Sequence, residues 1–423
     1  MARELPGLGW GTTVVTRSES HRQGRWESGD DSLLERIGLE ALVERVPARA
    51  PEGGVTPSLL PGLPPIAQPL GRRVIEVARR EQPSVVLLTM SPFFLSELVE
   101  PLRAVCDARI VVDLRDPWAL DYWPIYRDRG RFRRQEELML RCLRSIDGVV
   151  MNTPSARTEV LRFFAGRLPD GFESRIATIE NGYDAADFEV IRESCDRDVL
   201  EIVHTGTFHC EHLPCNRSFL DRLLDFRRHE RARIDRSGRT PQHLLQAAST
   251  LSERCRDFDC EVRFRFVGHV DPSLERCIEH SGIASKVELP GYLPHEQSVT
   301  ALGRAGALFL PGAGLPAGIE DLIVPGKTYE YIASGRPILA AIGHGDGRRL
   351  LEEAGGAYIC DPSDPDSIAD QLKRLHHDWR TGLLEGDGTR DMSVVQRYER
   401  ANLAANLSAF LESILEHAPA TCD

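Results

Sequence analysis

The 423-residue sequence predicts an α/β protein built from two doubly wound domains. Three observations carry this. Short runs rich in β-branched residues recur along the whole chain, each followed by a turn and a stretch with helical spacing. The runs are near-continuously apolar rather than alternating, as expected of parallel strands buried on both faces. The length exceeds what one ordinary core accommodates and suits two.

In the first half the strand-like runs are residues 12–16, 84–89, 109–113, 148–152 and 176–180, with helical spacing over 71–81, 134–146 and 155–164. Residues 50–71 are apolar, but seven prolines between Pro47 and Pro69 make the region a loop. The Asn181-Gly182 turn and the charged stretch 184–198 mark a break between halves. In the second half the runs are 201–205, 262–267, 286–289, 307–310, 337–341 and 357–360. Residues 209–240, dense in Arg and His, read as an insertion ahead of a helix over 241–251, with a solvated flap as the expectation. A last helical pattern over 394–417 either closes the second domain or crosses back to the first. The division is therefore 1–190, 191–393 with the 209–240 insertion, and a C-terminal helix within 394–423.

Composition excludes several classes. A net charge of −12 argues against nucleic-acid binding, which calls for a basic stripe. No apolar run reaches the roughly 18 residues of a transmembrane helix, and no secretory leader is visible. Ten scattered Cys suit reduced thiols, so a cytoplasmic location is expected. Cys210/Cys215 and Cys255/Cys260 share a C-x4-C spacing beside His209 and His212; a zinc site is the alternative to ordinary thiols, and no metal is expected. The Arg-rich stretch 127–144 reads as a solvated helix face, or as a peripheral contact with anionic lipid.

Candidate chemistry concentrates in VPGKTYEYIASGRPILA, residues 324–340. Pro325-Gly326 opens a helix near Lys327, and Ser334-Gly335 ends it. Free N–H groups and the positive dipole end suit a diphosphate, with Lys327 adding a point charge. Glu330, one turn in, is placed to accept hydrogen bonds from a ribose diol. The competing reading is an ordinary Lys327–Glu330 surface pair. Lysine is rare here (only Lys286, Lys327 and Lys373), which adds weight to this one. In the first half, Asp113, Arg115 and Asp116 follow a buried strand, where open α/β sheets place ligands. The alternative is an internal ion pair bracing the loop, with Trp118 as its apolar lid. Ser91-Pro92-Phe93 offers backbone N–H groups to a ligand, or is a plain turn.

Several collinear segments resemble the family 4 retaining glycosyltransferases (glycosyl transferases group 1) of the GT-B fold. These are IVVDLRDPW (110–118), the RDPW motif of one branch; VVMNTPSA (149–156); IATIENGYDAADF (176–188); HTGTF (204–208); RFRFVGH (263–269); VELPGYLPHEQ (287–297); and the 324–340 segment. The resemblance implies two Rossmann-like domains facing a cleft, the C-terminal one holding a nucleotide-sugar. It implies metal-independent transfer with retention to a small-molecule, lipid-linked or glycan acceptor, with the nucleotide-sugar as co-substrate and no cofactor. Glu330 matches the family's second motif glutamate. The first falls at Leu322, with Glu320 and Asp321 out of register. The family's Arg and Lys after the first strand of the C-terminal domain have no match at Gly206–Phe208, so Lys327, then Arg239, are the expected replacements. Donor binding is thus assigned to Gly206, Thr207, Arg239, Gly326, Lys327, Thr328 and Glu330. Catalysis is assigned to Asp116, Arg115 and Lys327, and the acceptor side to Ser91, Asp113, Arg115, Asp116 and Trp118. The opening MARELPGLGWGTTVVT resembles the end of the family's first helix and its second strand, so the first domain is expected to lack its usual first strand and Gly-rich loop, through a start set too far downstream or a true loss. The alternatives to a transferase are a non-catalytic or partner-dependent nucleotide-sugar-binding relative, and a nucleotide-sugar epimerase of the same architecture.

Overall fold

The structure, a computed structural model, describes residues 2–18, 43–47, 60–188, 198–210, 228–384 and 390–416. The chain divides into two compact units, Met1–Asp121 with Phe132–Glu180 and Ala401–Asp423, and Tyr122–Arg131 with Asn181–Arg400.

In the first unit, β1 (Val14–Arg17) pairs in parallel with β2 (Val43–Val46) as a two-stranded sheet. Helix α1 (Gln68–Glu81) follows, then β3 (Val85–Met90), α2 (Val99–Arg103), β4 (Arg109–Leu114), α3 (Arg129–Ser145), β5 (Gly148–Met151), α4 (Pro154–Phe163) and β6 (Ile176–Thr178). Strands β3-β4-β5-β6 form a parallel four-stranded sheet in that order. Every residue of β5 is buried, which explains its unbroken apolar run. Helix α4 starts where Thr153 caps the Ala156 N–H and Pro154 fits the first turn.

The second unit runs β7 (Leu200–Thr205), α5 (Gln242–Arg254), α6 (Arg256–Glu261), β8 (Val262–Val267), α7 (Pro272–Glu279), β9 (Val287–Gly291), α8 (His295–Arg304), β10 (Ala307–Pro311), α9 (Lys327–Ala333), β11 (Ile338–Ala341), α10 (Asp346–Ala354), β12 (Ala357–Cys360), α11 (Pro365–Arg380) and α12 (Met392–Gln396). Its sheet is parallel, in the order β12-β11-β10-β7-β8-β9. Chain order reverses between β7 and β10, the switch point at which Rossmann-type sheets bind ligands outside their strand ends. Both faces are covered. Leu200, Ile202 and Phe264 pack with Leu244, Ala248 and Leu372 on one face, and Val203, Leu308 and Leu310 with Tyr331, Leu351 and Val395 on the other. Each face is a buried core, so both sides of a strand must be apolar.

Two segments depart from expectation. The helical pattern over 394–417 is two helices, α12 and α13 (Arg400–Glu416). Between them the backbone leaves the helix to pair with Tyr183, whose N–H donates to Tyr398 O at 3.1 Å and whose carbonyl accepts from Arg400 N at 2.9 Å. Helix α13 packs Leu403, Leu407, Leu411 and Ile414 against Val111 and Val150 of the first unit. Residues 211–227 of the expected insertion, with Cys215 and His212 of the zinc alternative, lie outside the described residues, as do 189–197 of the break. The described end of the insertion, 228–240, is packed rather than solvated. Asp235 bridges to Gly314 with backbone bonds of 2.7 and 2.9 Å, and Thr240 is buried. Among the described residues no helix is long and apolar enough to cross a membrane, and no group of three His, Cys, Asp or Glu side chains could hold a metal ion.

Candidate functional site

The donor-side candidates collect at the β7/β10 switch point of the second unit. Strand β7 ends at Thr205, and Gly206 follows with φ of +121°, a conformation open to glycine and costly for L side chains. A side chain there would also displace the lysine: a Cβ on Gly206 would sit 1.9 Å from Lys327 Nζ. Gly268, after β8, approaches so closely that its Cβ would lie 2.2 Å from the Gly206 carbonyl oxygen. Two glycines thus let the strand ends close up and leave the ammonium of Lys327 beside bare backbone.

Lys327 is the first residue of α9. Its ammonium donates to the Thr205 carbonyl oxygen, and no ion pair with Glu330 forms within 4 Å among the described residues. The surface-pair alternative therefore fails: the lysine reaches inward across the sheet end. Burial, then the charge of Arg239, push its pKa down to about 7. A lysine held so far below the usual range near 10.5, at the end of a parallel strand, is a candidate for a functional role. Helix α9 has only seven residues, so its dipole is a minor contributor and the side-chain cations dominate the local charge.

Tyr331, fully buried on α9, accepts the Thr205 N–H on its hydroxyl at 3.0 Å and so fixes α9 against β7. Tyr331→Phe would leave that buried N–H unpaired; a loss of about 1–3 kcal/mol is expected, read from the urea midpoint. His204 stacks on Phe208 at 4.2 Å between ring centroids, and its Nδ1 lies 3.0 Å from Phe309 O. Its Nε2 is buried without a partner, and burial followed by Lys327's charge holds the imidazole neutral, well below its ordinary pKa. The Oγ1 of Thr328 is likewise buried without a partner. Thr207 is half-buried, while Gly206 and Gly326 are exposed. Glu330 is half-buried, its carboxyl raised first by burial against the opposing charges of His295, Arg400 and Lys327. Leu322, where the family pattern puts a glutamate, is a core residue with 5% exposure. Of its neighbours, Glu320 binds Arg349 at 3.0 Å, and Asp321 accepts the Ile323 N–H at 3.0 Å with burial raising its pKa to about 6.

The remaining candidates lie in the first unit. Asp113 and Arg115 pair with each other, with Arg115 Nε to Asp113 Oδ1 at 2.8 Å. Thr89 Oγ1 donates to the other carboxylate oxygen at 3.2 Å, and Arg115 Nη2 to Ile179 O at 3.2 Å. This is the loop-bracing arrangement. Trp118 is 2% exposed, stacks on Phe93 at 5.0 Å and donates its indole N–H to Gln135 at 2.9 Å. Its φ of +53° is a strained backbone held after a strand end, where such strain often serves a site. Asp116 is half-buried and Ser91 exposed, the latter before a cis proline.

Trp123, Asn152 and Tyr331 were not singled out in the sequence. Asn152 is buried after β5, donates to Arg115 O and leaves its Oδ1 unpartnered. Trp123 carries Arg236 and Arg239 over its ring. Nothing in their spacing marks them, because each acts through contacts distant in the chain.

Residues 232–378, which include β10, α9 and Arg239, match the family described as Glycosyl transferases group 1. No curated protein matches the chain. Among solved structures, the HepE protein of Anabaena, in complex with UDP and glucose, is similar at 12% identity and a TM-score of 0.60, covering 95% of this chain and 100% of that one. A glycosyltransferase from Rickettsia africae is similar at 12% identity and TM-score 0.60, covering 99% of this chain and 93% of that one. The sucrose-phosphate synthase of Thermosynechococcus elongatus is similar at 12% identity and TM-score 0.60, covering 98% and 91%. The chain therefore has the α/β fold of the GT-B glycosyltransferases, with two Rossmann-like domains, and its 232–378 segment matches the group 1 transferase family.

Proposed function

We propose that the chain transfers a sugar from a nucleotide-diphosphate donor to a hydroxyl acceptor, with retention of configuration, in the manner of family 4. The observation that carries the reading is the ammonium of Lys327, lodged beside Gly206 at the switch point within reach of Arg239's charge. The bond between the anomeric carbon and the diphosphate oxygen breaks, and the diphosphate leaves with the electron pair. The acceptor oxygen bonds the anomeric carbon, and its proton passes to the departing phosphate oxygen. Negative charge develops on the diphosphate, so preorganised cations there are the main catalytic contribution. Lys327 and Arg239 supply that charge without a bound metal. Gly206, Thr207, Gly326 and Thr328 line the phosphate side, and Glu330 takes the ribose diol. Asp116, with the Arg115–Asp113 brace, Ser91 and Trp118, forms the acceptor side. The UDP and glucose bound to the Anabaena protein support uridine diphosphate as the first nucleotide to test, and the matched family supports transfer over epimerisation or mere binding. A cytoplasmic enzyme touching a membrane surface through the exposed Arg129, Arg131 and Arg133 would reach a lipid-linked acceptor.

A thermal-shift panel of UDP-, GDP- and dTDP-sugars tests the reading: the cognate donor stabilises by mass action. Glu330→Ala is expected to abolish the shift. An unchanged shift removes Glu330 from the site, and no shift with any donor for the unaltered protein removes the proposal.

A further inference from the structure

We infer that His204 is a positioning residue for Lys327, its bare Nε2 serving as the ammonium's second acceptor beside the Thr205 carbonyl. The consequence for donor binding rests on the reading above. The seat itself rests on distances within the second unit.

His204 lies near the end of β7 and is 1% exposed. Its ring sits in a nest of phenylalanines. It stacks on Phe208 and meets Phe309 edge-on at 6.3 Å, and Phe208 in turn meets Phe266 at 5.0 Å. Another phenylalanine would pack there with no polar atom to satisfy, whereas histidine brings two nitrogens. One of them, Nδ1, faces the Phe309 carbonyl oxygen. A carbonyl oxygen only accepts, so the proton of the neutral ring sits on Nδ1 and Nε2 is left as a bare acceptor. Nε2 is buried with no partner, a state that buried polar atoms rarely occupy.

What faces Nε2 is Lys327. The point that a Cβ on Gly206 would occupy lies 3.9 Å from Nε2 and 1.9 Å from Lys327 Nζ, so acceptor and ammonium share one notch. An ammonium carries three N–H groups. Among the described residues, the hydrogen bond of Lys327 is the one to the Thr205 carbonyl. A turn about the last bonds of a flexible side chain brings a second N–H onto Nε2. Both acceptors are uncharged. A carboxylate would also hold the ammonium, but would cancel the charge that a diphosphate needs. A carbonyl and a neutral imidazole fix the lysine and leave its charge unspent. The charged groups that act on Lys327 are Arg239 and Glu330, and those on the imidazole are Lys327, Arg239 and His209. The competing account makes His204 a core residue that serves only the Phe309 carbonyl.

The test reads the lysine directly in the full chain. Lys286, Lys327 and Lys373 are the only lysines, so carbon-13 labelling at lysine Cε gives three NMR signals, and Lys327→Met assigns the relevant one. In the original protein Lys327 is expected to titrate at about 7. His204→Asn keeps a donor for the Phe309 carbonyl and removes Nε2. Its Lys327 midpoint is expected to fall by about one pH unit, the effect of one hydrogen bond to a charged group. His204→Gln puts an amide oxygen where Nε2 stood and is expected to hold the midpoint within about a third of a unit. Calorimetry with UDP-, GDP- and dTDP-glucose follows the consequence. His204→Asn is expected to bind the cognate sugar nucleotide about twofold more weakly at pH 6 and about tenfold more weakly at pH 8. Loosened packing alone would lower affinity by the same factor at both. His204→Leu replaces the asparagine variant should that one fail to fold. An unmoved Lys327 midpoint in His204→Asn overturns the role of His204, as does a midpoint in His204→Gln that falls equally far. A midpoint that moves without the donor affinity following it, or no binding of any of the three sugars to the original protein, leaves the seat in place and overturns the donor reading instead.

Discussion

Lys327→Met is expected to lower sugar transfer by about two to three orders of magnitude while making the ligand-free protein harder to melt. The first effect follows from the role proposed for Lys327, a preorganised cation at the leaving group, whose removal costs about that much in water-excluded sites. The second follows from the pKa of about 7. An ordinary lysine titrates near 10.5, so burial disfavours the charged form in the folded chain. Below about pH 7 the ammonium is charged in both states and its burial is wholly unfavourable. Between about 7 and 10.5 the unfolded chain keeps a proton that the folded chain has lost, so stability rises with pH across that window. Methionine removes both the penalty and the slope. Melting temperatures between pH 6 and 9 check this, and a variant that melts lower at pH 6 would contradict it. Donor binding runs the opposite way. On the proposed reading, the donor's diphosphate does not titrate here and is held by the charged ammonium, so donor affinity should fall about tenfold from pH 6 to pH 8 in the original protein. In Lys327→Met the affinity should be low and flat. Gain of stability with loss of activity is the pattern of a strained functional group rather than a structural one.

Gly206→Ala should be nearly as damaging, by a different route. The new methyl would meet Lys327 Nζ at 1.9 Å on a backbone with φ of +121°. The ammonium must leave its seat on the Thr205 carbonyl, and the backbone must hold a conformation that costs about 1–3 kcal/mol outside glycine. Transfer is expected to fall about a hundredfold or more, with a lower urea midpoint where Lys327→Met raises it. Because both changes displace the same ammonium, their effects on donor affinity should not add. Additive losses would mean that Gly206 acts on the donor independently of the lysine.

The fold was legible in the sequence because a parallel sheet covered on both faces leaves a strong local mark: β5 and β10 are buried at every position and read as unbroken apolar runs. Strand β2 was missed. It is four residues long and half-buried, with Glu44 and Arg45 inside it, so it carries no such run. The helix starting at Lys327 was also legible, since Pro325-Gly326 and Ser334-Gly335 punctuate it. The continuous helix expected over 394–417 was not, because its break at Tyr398 is imposed by backbone pairing with Tyr183, more than 200 residues earlier.

By itself, then, the sequence determined the α/β class, most strands of both sheets, and the candidacy of Lys327 and Glu330, because burial pattern, turn chemistry and residue type are local. Tertiary structure alone decided what those residues meet. It brought Lys327 to the Thr205 carbonyl, placed Gly206 where a side chain would collide with the ammonium, closed Asp113 and Arg115 on each other, and set Trp123 against Arg239. Charge, burial and pKa depend on neighbours in space. Those neighbours come together only when strands far apart in the chain lie side by side at the switch point.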